Sequence, residues 1–255
     1  MSVLVVGGSG ATGRLLVRQL LDHGLSVRAI VRSPESFIKD VGPHERLSVV
    51  HAAVLDLSDA ELAQHMFECE AVASCLGHTL SFKGVYGKPR RLVTEATRRL
   101  CKAIKASEPK SPVKYVLMNS TGCRNHDLSE SISLAERCVV GLIRLLVPPH
   151  SDNEHAAEYL RSQVGTDDAC VEWIAVRPDS LIDDDVVSEY EIHPSPTRSA
   201  IFNSGKTSRI NVAHFMADLI SNDAVWNAWK GKTPVIYNVA KQESHADADK
   251  PRRRD

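Results

Sequence analysis

The sequence predicts an α/β domain, a doubly wound parallel sheet with helices on both faces. Two observations carry this. Over residues 1–120, short apolar runs alternate with helically spaced apolar patterns, the order that parallel strands joined by crossover helices require. The first run, Val3–Val6, is apolar at every position, as a strand covered on both faces must be, and it opens directly onto the glycine-rich stretch Gly7–Gly13.

Each element follows from its own pattern. After Val3–Val6, the segment Arg14–His23 sets Leu15, Leu16, Leu20 and Leu21 at helical spacing, with Gly24 as a stop. Leu25–Val31 reads as the second strand and Leu47–Val50 as the third, leading to Asp56. Asp59–Glu68 is a short helix, Ala71–Leu76 the fourth strand and Pro89–Ala106 a long helix with a basic outer face. Val113–Met118 is the fifth strand, running into Asn119-Ser120-Thr121-Gly122. In the second half, Ser131–Val147 is expected as a helix stopped by Pro148-Pro149, and Ser151–Gln163 as another, capped by Ser151 or Asp152. Val171–Val176 is the sixth strand, Asn211–Ile220 a helix and Pro234–Val239 a last strand, while Asp183–Thr207 is too irregular to assign. The simplest organisation is one domain over residues 1–240 with an elaborated C-terminal part, followed by a charged, disordered tail over 241–255.

Composition narrows the function classes. A chain of 255 residues can bury a large core without disulfide or metal staples. Its 31 Lys+Arg against 32 Asp+Glu, a net charge of -1, argue against a protein built on nucleic-acid phosphates. Cys69, Cys75, Cys101, Cys123, Cys138 and Cys170 form no C-x-x-C pair, so neither a zinc site nor a thioredoxin motif is expected; they read as buried small hydrophobes. The most lipophilic segment, Ile132–Val147, is short and carries Glu136, Arg137 and Arg144, and the N-terminus lacks a basic signal-peptide region. The expectation is a cytoplasmic protein with a small-molecule substrate and neither a nucleic-acid nor a membrane partner.

The strongest chemical signal is Gly7-Gly8-Ser9-Gly10-Ala11-Thr12-Gly13 between a buried strand and an amphipathic helix. Gly7 permits the sharp turn, Gly10 lets a pyrophosphate approach the backbone, and Gly13 lets the helix pack close to the sheet. Ser9, Ala11 and Thr12 share this cradle, and the helix N-terminus adds free N–H groups. The other reading is a tight turn without a ligand. Arg32 ends the second strand, 19 residues past Gly13, where the adenine ribose of a bound dinucleotide falls. A carboxylate there would hold a 2′-hydroxyl, whereas an arginine pairs with a 2′-phosphate, which favours NADP(H) over an ordinary surface arginine. Asp56 would accept from the adenine amino group with Leu57 over the ring, or else cap the helix that starts near Ser58. Leu76-Gly77 closes the fourth strand where the backbone passes the ribose and phosphates, with Cys75 beside them.

Together with these residues, Asn119-Ser120-Thr121, Trp173–Pro178 and Ser208-Arg209-Ile210 make the chain resemble the short-chain dehydrogenase/reductase superfamily. The likeness is closer to its atypical NAD(P)H-binding branch, which includes NmrA-like proteins and the flavin reductase/biliverdin-IXβ reductase type. The resemblance covers residues 1–240. It implies a Rossmann-like fold with NADP(H) across the C-terminal strand edge, Asn119 and Pro178 beside it, and Ser120 in the place of the active-site serine. Ser120 would donate to a substrate carbonyl oxygen, or else it is a helix-cap or turn serine. The superfamily's usual acid, the tyrosine of Tyr-x-x-x-Lys, is missing. Alignment on Glu158-Tyr159-Leu160 puts His150 at the tyrosine position and Glu154 at the lysine position, and the chain's one such motif, Tyr237–Lys241, falls on the last strand. His150 suits proton transfer, or is a loop histidine; His155 and Tyr86 are further candidates, and a flavin or quinone acceptor needs no dedicated acid. The resemblance thus implies an NADPH-dependent reductase of a small carbonyl, quinone or flavin-like acceptor. The alternative is a non-catalytic NADP(H) sensor or scaffold of NmrA-like type that engages a protein partner. Asp183-Asp184-Asp185 reads as a solvated acidic loop rather than a metal site, and Arg90, Arg91, Arg98, Arg99 and Lys102 as a solvated basic face.

Overall fold

Strand β1 (Ser2–Val6) has no solvent face. Val3 and Val5 enter one apolar core and Leu4 and Val6 the other, all fully buried. The computed structural model describes residues 1–78, 87–125, 127, 128, 130, 139–142, 144 and 147–239. Around β1 lie β2 (Ser26–Val31), β3 (Leu47–His51), β4 (Ala71–Ser74), β5 (Val113–Met118), β6 (Val171–Pro178), β8 (Tyr190–His193) and β10 (Val235–Asn238), in the order β3-β2-β1-β4-β5-β6-β10-β8. Every pairing is parallel except the edge pair, where β8 runs antiparallel to β10. A short parallel pair, β7 (Ser180–Ile182) and β9 (Lys206–Ser208), stands apart from this sheet.

Helices cover both faces, as the alternating pattern predicts. On one side α1 (Ala11–Asp22), α2 (Pro34–Val41), α6 (Arg209–Ser221) and α7 (Asp223–Trp229) supply Leu16, Leu20, Phe37, Phe215 and Trp226 to the core. On the other, α3 (Asp59–Met66), α4 (Leu92–Ala106) and α5 (Pro148–Tyr159) supply Leu62, Met66, Leu100, Ile104 and Ala156. The expected Ser131–Val147 helix falls largely outside the described residues, as do Tyr86, Cys138, Lys241 and the tail.

The second half departs from expectation in two places. Pro148 and Pro149 open α5, where the first helical positions have no intrahelical N–H bond to lose to proline. Asp152 therefore lies within α5 and does not cap it, and the Ser151–Gln163 helix is in fact Pro148–Tyr159 followed by a π-helical turn, Leu160–Val164. Within Asp183–Thr207, β8 forms by pairing with β10, and β9 begins at Lys206. Asn238 and Asn211 hold that region through contacts distant in sequence: Ser208 N–H donates to Asn238 Oδ1 at 2.9 Å, and Ser188 N–H to Asn211 Oδ1 at 2.9 Å.

Asp152 caps another helix. Its Oδ2 accepts Val93 N–H at 2.7 Å and its Oδ1 accepts Thr94 N–H at 2.9 Å, at the N-terminus of α4, where Arg91 makes no side-chain cap. Thr94 Oγ1 donates back to Asp152 O at 2.9 Å, and His78 Nε2 lies 2.9 Å from Oδ2. Burial pushes this carboxyl up, but His78 and the N–H donors outweigh it and hold its pKa below the ordinary 3.8. The stabilisation from a lowered carboxylate pKa is complete above the ordinary value and fades as pH falls through the folded one. Asp152→Ala should cost about 3 kcal/mol in urea unfolding at neutral pH. The gap from the wild type should narrow as the pH falls below 3.8. A neutral-pH loss within error of zero would show that the carboxylate does not hold α4.

Candidate functional site

In an open α/β sheet, ligands bind outside the carboxyl ends of the strands where the order reverses, here between β1 and β4. Gly7, at φ +74°, turns the chain out of β1 there, and a Cβ on it would lie 2.5 Å from the carbonyl carbon of Cys75 and 2.7 Å from Leu76 N. A Cβ on Gly13 would lie 2.2 Å from Gly7 O. Both glycines are thus demanded by packing. Gly10 is different: a Cβ there would meet only Gly7 O, at 3.2 Å. Gly10 is the N-cap of α1 and gives no side-chain cap, so the first N–H groups of the helix are left for a ligand. Ser9, Gly10 and Ala11 are exposed on this turn, while Thr12 and Gly13 are buried beneath it.

Arg32, Asp56 and Leu57 meet on one cavity of about 480 Å³ beyond the ends of β2 and β3, with His51 and Glu61. Arg32 is exposed and makes no ion pair among the described residues. Asp56 is not a helix cap. Ser58 takes that role in α3: its Oγ accepts Glu61 N–H at 3.2 Å while Glu61 Oε2 accepts Ser58 N–H at 2.7 Å. The Asp56 carboxylate is left facing the cavity.

At the end of β4, Cys75 is buried and its thiol is pushed up to about 12 by burial, so it is no nucleophile. Leu76 packs against the core, and Gly77 is exposed with open space where a side chain would stand. At the end of β5, Asn119 is buried and engaged with protein: its N–H bonds Val176 O at 2.7 Å, Nδ2 donates to Asn153 O at 3.0 Å, and Oδ1 accepts Ser120 N–H at 2.8 Å. Pro178 is buried at the end of β6, and its carbonyl accepts Thr121 N–H at 3.0 Å.

Ser120 and His150 flank Gly122. A Cβ on Gly122 would lie 3.2 Å from His150 Cε1, 3.5 Å from its Nδ1 and 3.6 Å from Ser120 Oγ. Ser120 does stabilise its own turn, because its Oγ accepts Gly122 N–H at 3.2 Å, yet that bond leaves its proton free to donate. The His150 ring is mostly buried, with Nε2 3.4 Å from Glu154 Oε1 but outside hydrogen-bond geometry. Burial raises Glu154, and His150 together with the two-pronged Arg144 pair, at 2.7 Å to each oxygen, overrides it and brings the pKa down to about 2. His155 is exposed and does not join Ser120. Tyr237 is buried on β10, with Gly205 flat against its ring.

Two arrangements escape a reading of sequence alone. His78–Asp152 is one. The other is Arg177, fully buried on β6, whose Nε donates to Thr233 O at 2.7 Å, Nη1 to Cys123 O at 3.1 Å and Nη2 to Glu130 Oε1 at 2.8 Å. Its place in an apolar strand was the available signal, but its carboxylate partner lies 47 residues away. Elsewhere, Asp183 pairs with Arg209 at 2.8 Å, and Lys102 pairs with Asp59 at 2.6 Å while Arg99 bonds the same carboxylate at 3.2 Å. Among the described residues, no helix is long and apolar enough to cross a membrane.

The profile of the NAD(P)H-binding family matches residues 7–223. The chain belongs to the NAD(P)H-binding family. No curated protein matches the sequence. Among solved structures, the oxidoreductase ylbE from Lactococcus lactis is similar with a TM-score of 0.67 at 16% identity, over 94% of this chain and 91% of that one. A short-chain dehydrogenase/reductase (wide type) from Veillonella parvula, in complex with NADP, gives 0.64 at 16%, over 93% and 94%. A protein from Streptococcus pneumoniae provisionally named an NADH-flavin reductase gives 0.63 at 13%, over 94% and 100%. At these identities the likeness shows the fold. The residues of this NAD(P)H-binding chain also fit the nucleotide's phosphates: the first turn of α1 carries uncapped donors, and the exposed Gly10 at its start keeps the backbone bare of a side chain.

Packing and ligand roles within the turn can be separated. Gly13→Ala should lower stability by about 2 kcal/mol, since the added carbon meets backbone. Gly10→Ala should leave thermal stability near the wild type and weaken NAD(P)H binding measured by fluorescence titration. Equal binding by wild type and Gly10→Ala would remove Gly10 from the cradle.

Proposed function

We propose that this protein is an NADPH-dependent reductase of a small carbonyl, quinone or flavin-like acceptor. Ser120 carries the reading. Its oxygen is occupied by Gly122 N–H, its proton is free, and it stands at the end of β5 on the strand edge that holds the nucleotide cradle. The choice of NADPH rests on Arg32, an exposed guanidinium without a carboxylate partner among the described residues, on the cavity shared with Asp56 and Leu57.

In this reading Gly7, Ser9, Gly10, Ala11, Thr12 and Gly13 hold the pyrophosphate against the N-terminus of α1. Arg32 pairs with the 2′-phosphate, Asp56 accepts from the adenine amino group and Leu57 covers the ring. Leu76-Gly77 borders the ribose, and Asn119 and Pro178 shape the wall at the nicotinamide end. Bound NADPH supplies the hydride. Ser120 donates a hydrogen bond to the acceptor oxygen and so stabilises the negative charge that grows there. His150 sits beside Ser120 to supply a proton, and Glu154, ionised down to about pH 2, keeps a negative charge 3.4 Å from its Nε2. A non-catalytic NADP(H) sensor is the second reading. It is favoured by Glu154, a carboxylate at the position the superfamily gives to its ribose-binding lysine.

Arg32→Ala should weaken NADPH binding about tenfold or more and leave NADH unchanged, because only the former carries the phosphate. Equal losses would return Arg32 to an ordinary surface role. Ser120→Ala should lower kcat about a hundredfold with NADPH affinity retained. With flavin, quinone and aldehyde acceptors followed by NADPH oxidation, full activity of this variant would exclude Ser120. Tight NADPH binding by the wild type without oxidation by any acceptor would favour the sensor.

A further inference from the structure

A second cavity of about 480 Å³ lies between the loop that follows β5 and helix α5, a volume suited to a small aromatic or branched acid. Four guanidiniums line it: Arg124, Arg144, Arg161 and Arg177. Three are neutralised. Arg144 takes Glu154 at 2.7 Å, Arg161 takes Glu158 at 2.7 Å and Asp127 at 2.5 Å, and Arg177 takes Glu130 at 2.8 Å. Arg124 has no carboxylate partner among the described residues. Its Nη2 donates to the backbone carbonyl of Glu130 at 2.7 Å, and its Nε is buried without a hydrogen-bond partner. A guanidinium on a cavity wall without a carboxylate partner among the described residues calls for an anion.

The cavity borders the loop that carries the proposed serine. Cys123, on its wall, follows the Ser120–Gly122 turn and donates its N–H to Ser120 O at 3.0 Å. Glu154, also on its wall, is the carboxylate against His150.

We infer that this cavity seats the anionic end of the acceptor: the substrate carries a carboxylate-type group that pairs with Arg124, while its reducible oxygen points to Ser120. The inference rests on the reductase reading for the role of Ser120, but the anion pocket can be tested without turnover. The planar fork of Arg124 suits a carboxylate, and Asn125 and Ser151 add polar groups on the same wall.

The test is calorimetric titration of the full-length protein, with and without saturating NADPH, using 1-naphthoate and its neutral counterpart 1-naphthamide. Naphthoate should bind about tenfold more tightly than the amide, and Arg124→Gln should erase that preference. Retained NADPH binding reports that the variant is folded. If Arg124→Gln fails that check, Arg124→Lys, which keeps the charge, should still prefer naphthoate, and Ala157→Phe, which fills the cavity, should exclude both compounds. Equal affinities, no naphthoate binding, or a preference that survives in folded Arg124→Gln would overturn the pocket. Naphthoate held through Arg124 by a protein that does not bind NADPH would overturn the reductase reading and leave the pocket standing. NADPH bound without naphthoate would do the reverse.

Discussion

The backbone of Gly7 lies so close to the Cys75–Leu76 peptide that no side chain fits between them. That contact sits at the switch point of the sheet and fixes how the ends of β1 and β4 meet. It also sets the start of α1, because Gly13 must in turn clear the carbonyl of Gly7. The uncapped donors of α1 lie at the helix start that these two approaches fix. A protein can tolerate many choices along α1, but at Gly7 and Gly13 the sheet and helix approach at backbone distance, and only a hydrogen fits.

The parts of this structure that were legible in the sequence are those whose cause is local. Val3–Val6 is apolar throughout because both of its faces are covered, and it reads as such. Val113–Met118 was readable residue for residue. Arg32, Asp56 and Leu57 each stand beyond a strand end in the sequence, and the parallel register of β2 and β3 brings them to one cavity. What stayed hidden depends on partners far away in the chain. Asp152 looks like the cap of the helix it belongs to, because Asp near a helix start has that meaning locally. Only the packing of α5 against α4 shows that it caps the other helix, 58 residues earlier. The edge strand β8 has no apolar alternation strong enough to declare itself; its backbone finds its hydrogen bonds in β10, with Asn238 and Asn211 tying down the neighbouring loop.

The missing tyrosine and lysine are better understood through α5 than through the motif. Three of its polar side chains have separate tasks. Asp152 faces inward and is consumed by α4 and His78; Glu154 is consumed by Arg144; His150, in the first turn of the helix beside Gly122, keeps its buried Nε2 without a hydrogen bond. A lysine in place of Glu154 would face Arg144 across the same short distance, and one of the two cations would have to leave. The carboxylate is therefore part of a different electrostatic arrangement, in which the helix is anchored by acids and the proposed site receives a histidine.

That arrangement divides the strand edge by charge. At the β2–β3 end, Arg32 stands on its cavity without a carboxylate partner among the described residues, as an arginine meant for a phosphate would. Past β5, three of the four guanidiniums on the second cavity are balanced so closely that they serve to hold loops and helix α5 together, and Arg124 has no carboxylate partner among the described residues. A buried arginine network that was purely structural would gain by closing the last pair, since an orphaned donor costs about 1–3 kcal/mol. The chain instead bonds the Arg124 guanidinium to the backbone oxygen of Glu130 and commits the Glu130 carboxylate to Arg177. That allocation leaves one cation facing a cavity large enough for a small acid, on the side of the proposed serine opposite the adenine end. A cofactor anion at one end and a substrate anion at the other would together orient the reacting groups between them, so that placement carries the rate where a strong acid is absent.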